Sequence, residues 1–216
     1  HASKLVEIDR SIPEEPKTAA VVNAWVEKVY STLRANGQEP TAVIGRTQEM
    51  LDGFESSIRN KPTNLGKLIA NAFLAEFPDA DVAMYHSGNV RIDDRIPPGE
   101  IRYYDALRMF PFGGRYFYVA MTGEILINTL EQGARFAGSG SYLQYAGVAE
   151  VSQDNWQIRG NAVDSAKTYK VLVSDYLVKG IEYPQLKIGG MSDVITKIGE
   201  SRDVVPVFTD FMKKSL

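Results

Sequence analysis

Nine consecutive residues, His86 to Asp94 (HSGNVRIDD), join a flexible turn to a guanidinium. A Ser87-Gly88-Asn89 turn after a short apolar run offers backbone N–H groups, and Arg91, flanked by Val90 and Ile92, adds planar donors. Together these suit an anionic or hydroxyl-bearing ligand. The same pattern also fits a strand end whose arginine pairs with Asp93 or Asp94. Phe112 stands between Pro111 and Gly113-Gly114, on a tight turn with no bulky neighbour after it to cover its ring, and Tyr176 follows a strand candidate ending at Asp175. Two such rings can sandwich a flat ligand, and face-to-face stacking suits a nucleobase. Packing in the core is the competing reading for Phe112.

The chain has two histidines, His1 and His86, and no cysteine. Hydrolytic sites with two divalent metals draw on several histidines together with carboxylates, so this sequence cannot assemble one. Thiol catalysis and disulfides are excluded outright. His86 reads as readily as a hydrogen-bonded structural histidine as a ligand contact, and no serine, histidine and acid set accompanies it. The glycine-bearing pieces GSGS (138–141) and KIGGMS (187–192) lack the lysine pattern of a phosphate loop and the strand-glycine-helix context of a dinucleotide fingerprint, so they read as loops.

The elements that must carry these residues follow from hydrophobic spacing. Residues 1–18 read as a short extended piece, with Leu5, Val6 and Ile8 apolar, followed by the proline-marked joint SIPEEPKT. A helix is predicted over 19–36, because Val21, Val22, Trp25, Val26, Val29 and Leu33 share one face, with Gly37 ending it. A short strand is predicted at 41–47, a loop to Pro62, and a buried helix over 63–77 in which Gly66 admits a close backbone neighbour. Strands are predicted at 81–85, 115–121, 142–151 and 168–175. Thr122 caps a helix bearing Ile125, Leu126, Thr129 and Leu130, and Asp203 opens a last helix bearing Val204, Val207, Phe208, Phe211 and Met212. These elements describe one α+β domain of layered helices and mixed sheets with an N-terminal extension.

At 216 residues with 44% hydrophobic content, the chain can bury a sizeable core. A net charge of −3 gives no electrostatic footprint for nucleic acid or an anionic membrane. No stretch approaches the roughly 20 apolar residues of a membrane span. The first ten residues carry neither the apolar run nor the small-residue site of a secretory signal, as expected of a mature or excised piece.

In order, Thr63-Asn64-Leu65-Gly66-Lys67-Leu68-Ile69-Ala70, Ser87-Gly88-Asn89-Val90-Arg91, Pro98-Gly99-Glu100-Ile101, Pro111-Phe112-Gly113-Gly114 and Met121-Thr122-Gly123 resemble the C-terminal domain of the 5′-nucleotidase family. The likeness continues through 140–144 and 169–171 to the tail at Asp203, covering roughly residues 40–215. On this resemblance, residues 1–18 are the end of a preceding domain with its linker, 19–36 a connecting helix, and 37–216 the C-terminal domain.

Enzymes of that family pair a metallophosphoesterase domain, which holds two divalent metals, with a C-terminal domain that binds the nucleoside part of the substrate. The resemblance implies the second half of such an exported, periplasmic or extracellular hydrolase, with no metal or other cofactor of its own and its catalysis in the other domain. The implied substrate-binding set is Arg59, His86, Asn89, Arg91, Phe112 and Tyr176, with Phe112 and Tyr176 clamping the base and Arg59 and Arg91 touching the substrate. Two of the family's three turn glycines are Ser87 and Asn89 here. Its G-G-D-G loop, whose aspartate helps hold the nucleoside, is replaced by Lys179-Gly180-Ile181-Glu182, and the asparagine before the second ring is Asp175. Two alternatives therefore stand beside nucleoside binding: a structural domain that has lost it, and an independent activity through His86.

Overall fold

The computed structural model describes residues 3–6, 11–152, 155–188 and 195–214. His1, Ile8 and most of the 187–192 loop lie outside the described residues. The chain divides into two compact units, His1–Thr41 and Ala42–Leu216.

The first unit contains α1 (Pro16–Ala35). It starts three residues earlier than the apolar spacing indicates, because part of the proline-marked joint is a helix cap. The Glu15 carboxylate accepts from the Lys17 and Thr18 N–H groups, and Pro16 occupies the first turn, where its missing N–H costs nothing. Gly37 follows the end at φ +76°, the left-handed conformation that closes a helix. The predicted apolar face forms, and Val21, Val22, Trp25, Val26 and Val29 are all exposed on it.

The second unit runs β1 (Val43–Thr47), β2 (Leu51–Asp52), α2 (Glu55–Ile58), α3 (Asn64–Glu76), β3 (Val82–His86), β4 (Arg95–Ile96), β5 (Gly99–Arg102), α4 (Tyr103–Met109), β6 (Arg115–Thr122), α5 (Gly123–Arg135), β7 (Leu143–Ala146), β8 (Val148–Ser152), β9 (Asn155–Ile158), β10 (Asn161–Ala162), β11 (Thr168–Ser174), β12 (Ile195–Lys197), β13 (Arg202–Asp203) and α6 (Val204–Lys213). The fold is α+β. A central six-stranded sheet has the order β12-β6-β11-β3-β7, with β13 also on β6. β3 and β11 run parallel, and each of their other neighbours runs antiparallel.

Helices cover both faces of this sheet, which is why its middle strands read as nearly continuous apolar runs. Side chains alternate between two cores. Ala83, Tyr85, Tyr116 and Leu172 face α3, α4 and α6, while Val82, Met84, Val119, Val171 and Val173 face the α5 side with Leu126 and Leu130.

Three expectations are corrected. The segment before Pro62 is not all loop: Leu51–Asp52 pairs with β4, and Glu55–Ile58 makes one helical turn that buries Ile58. The predicted strand 142–151 is cut at Gly147, whose φ of +84° turns the chain. A Cβ there would lie 2.2 Å from the Asp81 carbonyl oxygen, so glycine is needed twice over. The piece beyond the cut joins a separate β10-β9-β8 sheet.

Gly66 makes room for a side chain rather than a backbone. A Cβ on it would lie 2.0 Å from the Gln144 amide oxygen. Gln144 is fully buried, donating to the Ile58 and Lys61 carbonyls at 2.7 Å each and accepting the Thr63 N–H at 3.0 Å. The Thr122 hydroxyl caps α5 as expected, accepting from Ile125, and Thr63, placed by its spacing inside the helix, instead caps α3 by accepting from Gly66. Asp203 does not cap α6 with its side chain; its carboxylate pairs with Arg115 at 3.0 Å.

Candidate functional site

Because β3 and β11 are parallel, their C-terminal ends reach the same edge of the sheet, and antiparallel β6 begins there. Val173 lies opposite Met84, Ser174 opposite Tyr116, and His86 opposite Leu143. This register gathers the segments 86–91, 111–115, 139–142 and 174–176 at one end, the customary ligand position of parallel strands.

The Ser87–Asn89 turn is held from behind. Its Ser87 N–H donates to the Tyr142 carbonyl at 2.8 Å and the Gly88 N–H to the Gly140 carbonyl at 2.7 Å. The expectation that this turn offers its N–H groups to a ligand is thus corrected at those two positions, since a turn abutting Gly140 uses them to tie down the 138–141 loop. Asn89 is half-buried and donates through Nδ2 to the Gly113 carbonyl at 3.4 Å, which links the turn to the Phe112 turn.

Phe112 is 73% exposed, so core packing does not describe it. The Arg91 guanidinium carbon lies 5.5 Å from its ring centre, a cation–π arrangement. Neither nearby acid holds Arg91: Asp94 pairs with Arg108 at 3.0 Å, and Asp93 accepts the Glu55 N–H at 2.8 Å. Arg91 is exposed and its backbone N–H donates to Met109.

His86 is 9% exposed, with Nδ1 at 3.0 Å from the Ser174 hydroxyl oxygen. Its ring stacks on Tyr176 at 4.2 Å between centres and 26° between planes. Burial, aided by the positive charge of Lys179, pushes its pKa down to about 4, so the imidazole is neutral at physiological pH. It supplies a flat surface behind Tyr176 rather than a charge. The unfolded chain takes up a proton at this residue near pH 6.5 while the folded chain resists until about 4, so stability falls as pH drops through that window. His86→Gln is expected to remove about 1 kcal/mol of the loss between pH 7.5 and 5.5, checked by urea unfolding of both proteins at each pH.

Tyr176 is half-buried, and its hydroxyl donates to the Glu182 carboxylate, which raises the phenol's pKa. The other Glu182 oxygen, Oε2, is buried with no partner. The 180–184 loop does not fold over Phe112: Ile181 at its tip is 70% exposed, and Tyr183 turns inward against Phe136, donating to the Ser141 carbonyl at 2.6 Å. Sequence reasoning named Glu182 only as a departure from a family loop; its pairing with Tyr176 spans a turn that no local pattern specifies.

Arg59 is tied to this group through the 138–141 loop. It ends α2, pairs with Glu55 at 2.8 Å and is 19% exposed in its side chain. Its carbonyl accepts the Gly138 N–H at 2.9 Å, so the 138–141 loop has Arg59 at one end and the Ser87–Asn89 turn at the other. Its Nε is buried without a partner. A hollow of about 810 Å³ elsewhere, lined by Thr63, Lys67, Tyr145 and Arg159 among others, includes none of the six residues.

Among the described residues, no three histidine, cysteine or acidic side chains form a group that could hold a metal ion. No described helix is long and apolar enough to cross a membrane.

Comparison with known proteins adds a family to this geometry. The family described as 5′-nucleotidase, C-terminal domain, matches residues 43–187. Protein UshA of Escherichia coli strain K12 is 36% identical over 171 residues, covering 76% of this chain and 30% of that protein. A 5′-nucleotidase of Vibrio cholerae is 30% identical over 197 residues, covering 81% and 35%. The chain thus spans about a third of the length of these curated relatives. Among solved structures, a 5′-nucleotidase precursor from Thermus thermophilus superposes with a TM-score of 0.72 at 20% identity, over 94% of this chain and 41% of that one. The NAD nucleotidase of Haemophilus influenzae gives 0.66 at 19%, over 93% and 39%. At these identities the structures speak for the fold alone.

Proposed function

Because this chain belongs to the 5′-nucleotidase C-terminal domain family, we propose that it grips the nucleoside part of a nucleotide while another domain of the same parent chain hydrolyses the phosphate monoester. The observation that carries the reading is the exposed Phe112 ring, set on a glycine turn at the sheet end that also bears Tyr176. An exposed aromatic braced by a guanidinium is a stacking platform for a base. Arg91 and Arg59 are the cations that would meet the substrate.

The residues of this chain do not fit the family's two divalent metals, since the described part lacks a ligand cluster. Those ions belong with the other domain in this reading, and the chemistry they supply is activation of water for attack on phosphorus. This chain contributes binding and orientation. By family, the parent is an exported enzyme acting in the periplasm or outside the cell.

A 180–184 loop folded over Phe112 would favour the reading of a structural domain without a ligand, and the exposure of the Phe112 ring argues against such a cover. Calorimetric titration of the chain with a nucleoside 5′-monophosphate and with ribose 5-phosphate separates the two. The base is expected to strengthen binding at least about tenfold. Equal affinities for the two ligands would end the base-gripping reading.

A further inference from the structure

Tyr176 lies in the segment that leaves β11, and its ring is held from two directions. One face lies on His86, whose imidazole is fixed by Ser174 and by burial, so a flat ligand can use only the opposite face. The hydroxyl at the far end of the ring donates to the Glu182 carboxylate. A stack alone leaves a tyrosine free to slide and tilt. A charge-assisted bond at its tip removes that freedom.

The Glu182 end of this tether is itself anchored. Its carbonyl accepts from the Gln132 amide of α5, and the Gln185 amide donates both to the Gln132 oxygen at 2.8 Å and to the Thr129 hydroxyl at 3.3 Å. Leu177, Tyr183 and Leu186 are buried on either side of the loop. Gly180, at φ +70°, turns the chain back at a point where a Cβ would lie 2.5 Å from the Lys187 side chain. The carboxylate is thus carried by a fixed backbone. Among the described residues, Tyr176 is the one group bonded to it, through Oε1, while Oε2 is closed off from the surface.

Resting on the nucleoside reading above, we infer that Glu182 is a positioning residue for base binding: it holds the Tyr176 ring flat against His86, so that the base meets a face already in place, and it does not itself touch the ligand. The family resemblance gives the aspartate of the corresponding loop a direct hold on the nucleoside. In this chain one carboxylate oxygen is occupied by the Tyr176 hydroxyl and the other is out of reach, so the loop acts through the ring. A ring ordered before the ligand arrives relieves the complex of the entropy of ordering it.

The test is calorimetric titration of a nucleoside 5′-monophosphate and of ribose 5-phosphate into the 216-residue chain, Glu182→Ala, Glu182→Gln, Tyr176→Phe and the Glu182→Ala/Tyr176→Phe double variant, with melting curves confirming that each is folded. Glu182→Ala and Tyr176→Phe are each expected to weaken the nucleotide about three- to tenfold, and the double variant no further than either alone, because both substitutions break the same bond. Glu182→Gln keeps an acceptor for the hydroxyl and is expected to stay within about twofold of the wild type. Ribose 5-phosphate has no base to stack, so its affinity is expected to be the same throughout, whereas a general loosening of the domain would weaken both ligands. Should Glu182→Ala not fold, Tyr176→Phe reads the same bond from its other end. Additive losses in the double variant, an equal loss for ribose 5-phosphate, or unaltered nucleotide binding by Glu182→Ala or Tyr176→Phe each overturn the role of Glu182 while leaving nucleoside binding intact. Failure of the nucleotide to bind the wild type removes the nucleoside reading and this inference with it.

Discussion

Phe112→Ala is expected to weaken nucleotide binding roughly 10- to 100-fold, about 1–3 kcal/mol, and to leave the unliganded chain as stable as before. The two halves of this expectation have one cause. A ring that is 73% exposed contributes little to the core, so its removal costs the fold no more than about 0.5 kcal/mol. The lost cation–π contact with Arg91 falls in the same small range at an exposed site. A bound base, by contrast, would lose an entire stacking face. Titration calorimetry beside a thermal melt reads both quantities, and unchanged affinity would remove Phe112 from the site. A large drop in melting temperature would instead identify the ring as a packing element.

Gln144→Ala reverses that pattern, with an expected loss of about 3–5 kcal/mol in stability by urea unfolding. The amide sits where α2, α3 and β7 meet, and its truncation abandons the buried Ile58 carbonyl, the part-buried Lys61 carbonyl and the Thr63 N–H. Each orphaned group costs about 1–3 kcal/mol, and the cavity adds to the sum. Gly66→Ala offers an internal check. In the wild type its methyl collides with the Gln144 oxygen, whereas in the Gln144→Ala background that space is vacant, so the substitution should cost far less there. Additive effects of the two substitutions would contradict the packing described.

Much of the fold was legible because it rests on local rules. Thr122 announced α5 through cap chemistry, and the apolar periods of α3 and α6 were plain from Leu65 to Phe73 and from Val204 to Met212. Errors arose where a residue serves two purposes. Glu15 and Pro16 look like a linker and act as a cap, and Gly147 lies within a strand-like run yet turns the chain from one sheet to another. The β9 and β10 hairpin escaped notice although Arg159-Gly160 stands at its turn, because Arg159 adopts φ +51°, a conformation its type does not advertise.

The six candidate residues divide in the same way. Phe112 and Tyr176 stood out because aromatic rings beside turns are conspicuous in a sequence. That His86 is neutral, stacked on Tyr176 and bonded to Ser174 depends on two parallel strands ending side by side, 88 positions apart in the chain. Spacing along the sequence does not encode such a pairing. The use of the Ser87 and Gly88 N–H groups by the 138–141 loop was hidden for the same reason.

Asn89 and Arg91 lie just past the end of β3, Tyr176 just past β11 and Phe112 just before β6, whereas the cores are filled by side chains within those strands. Over evolutionary time, substitutions at the tips can alter which small molecule is held while the frame stays intact. A descendant of this chain can therefore acquire a new ligand before it needs any compensating change in its interior.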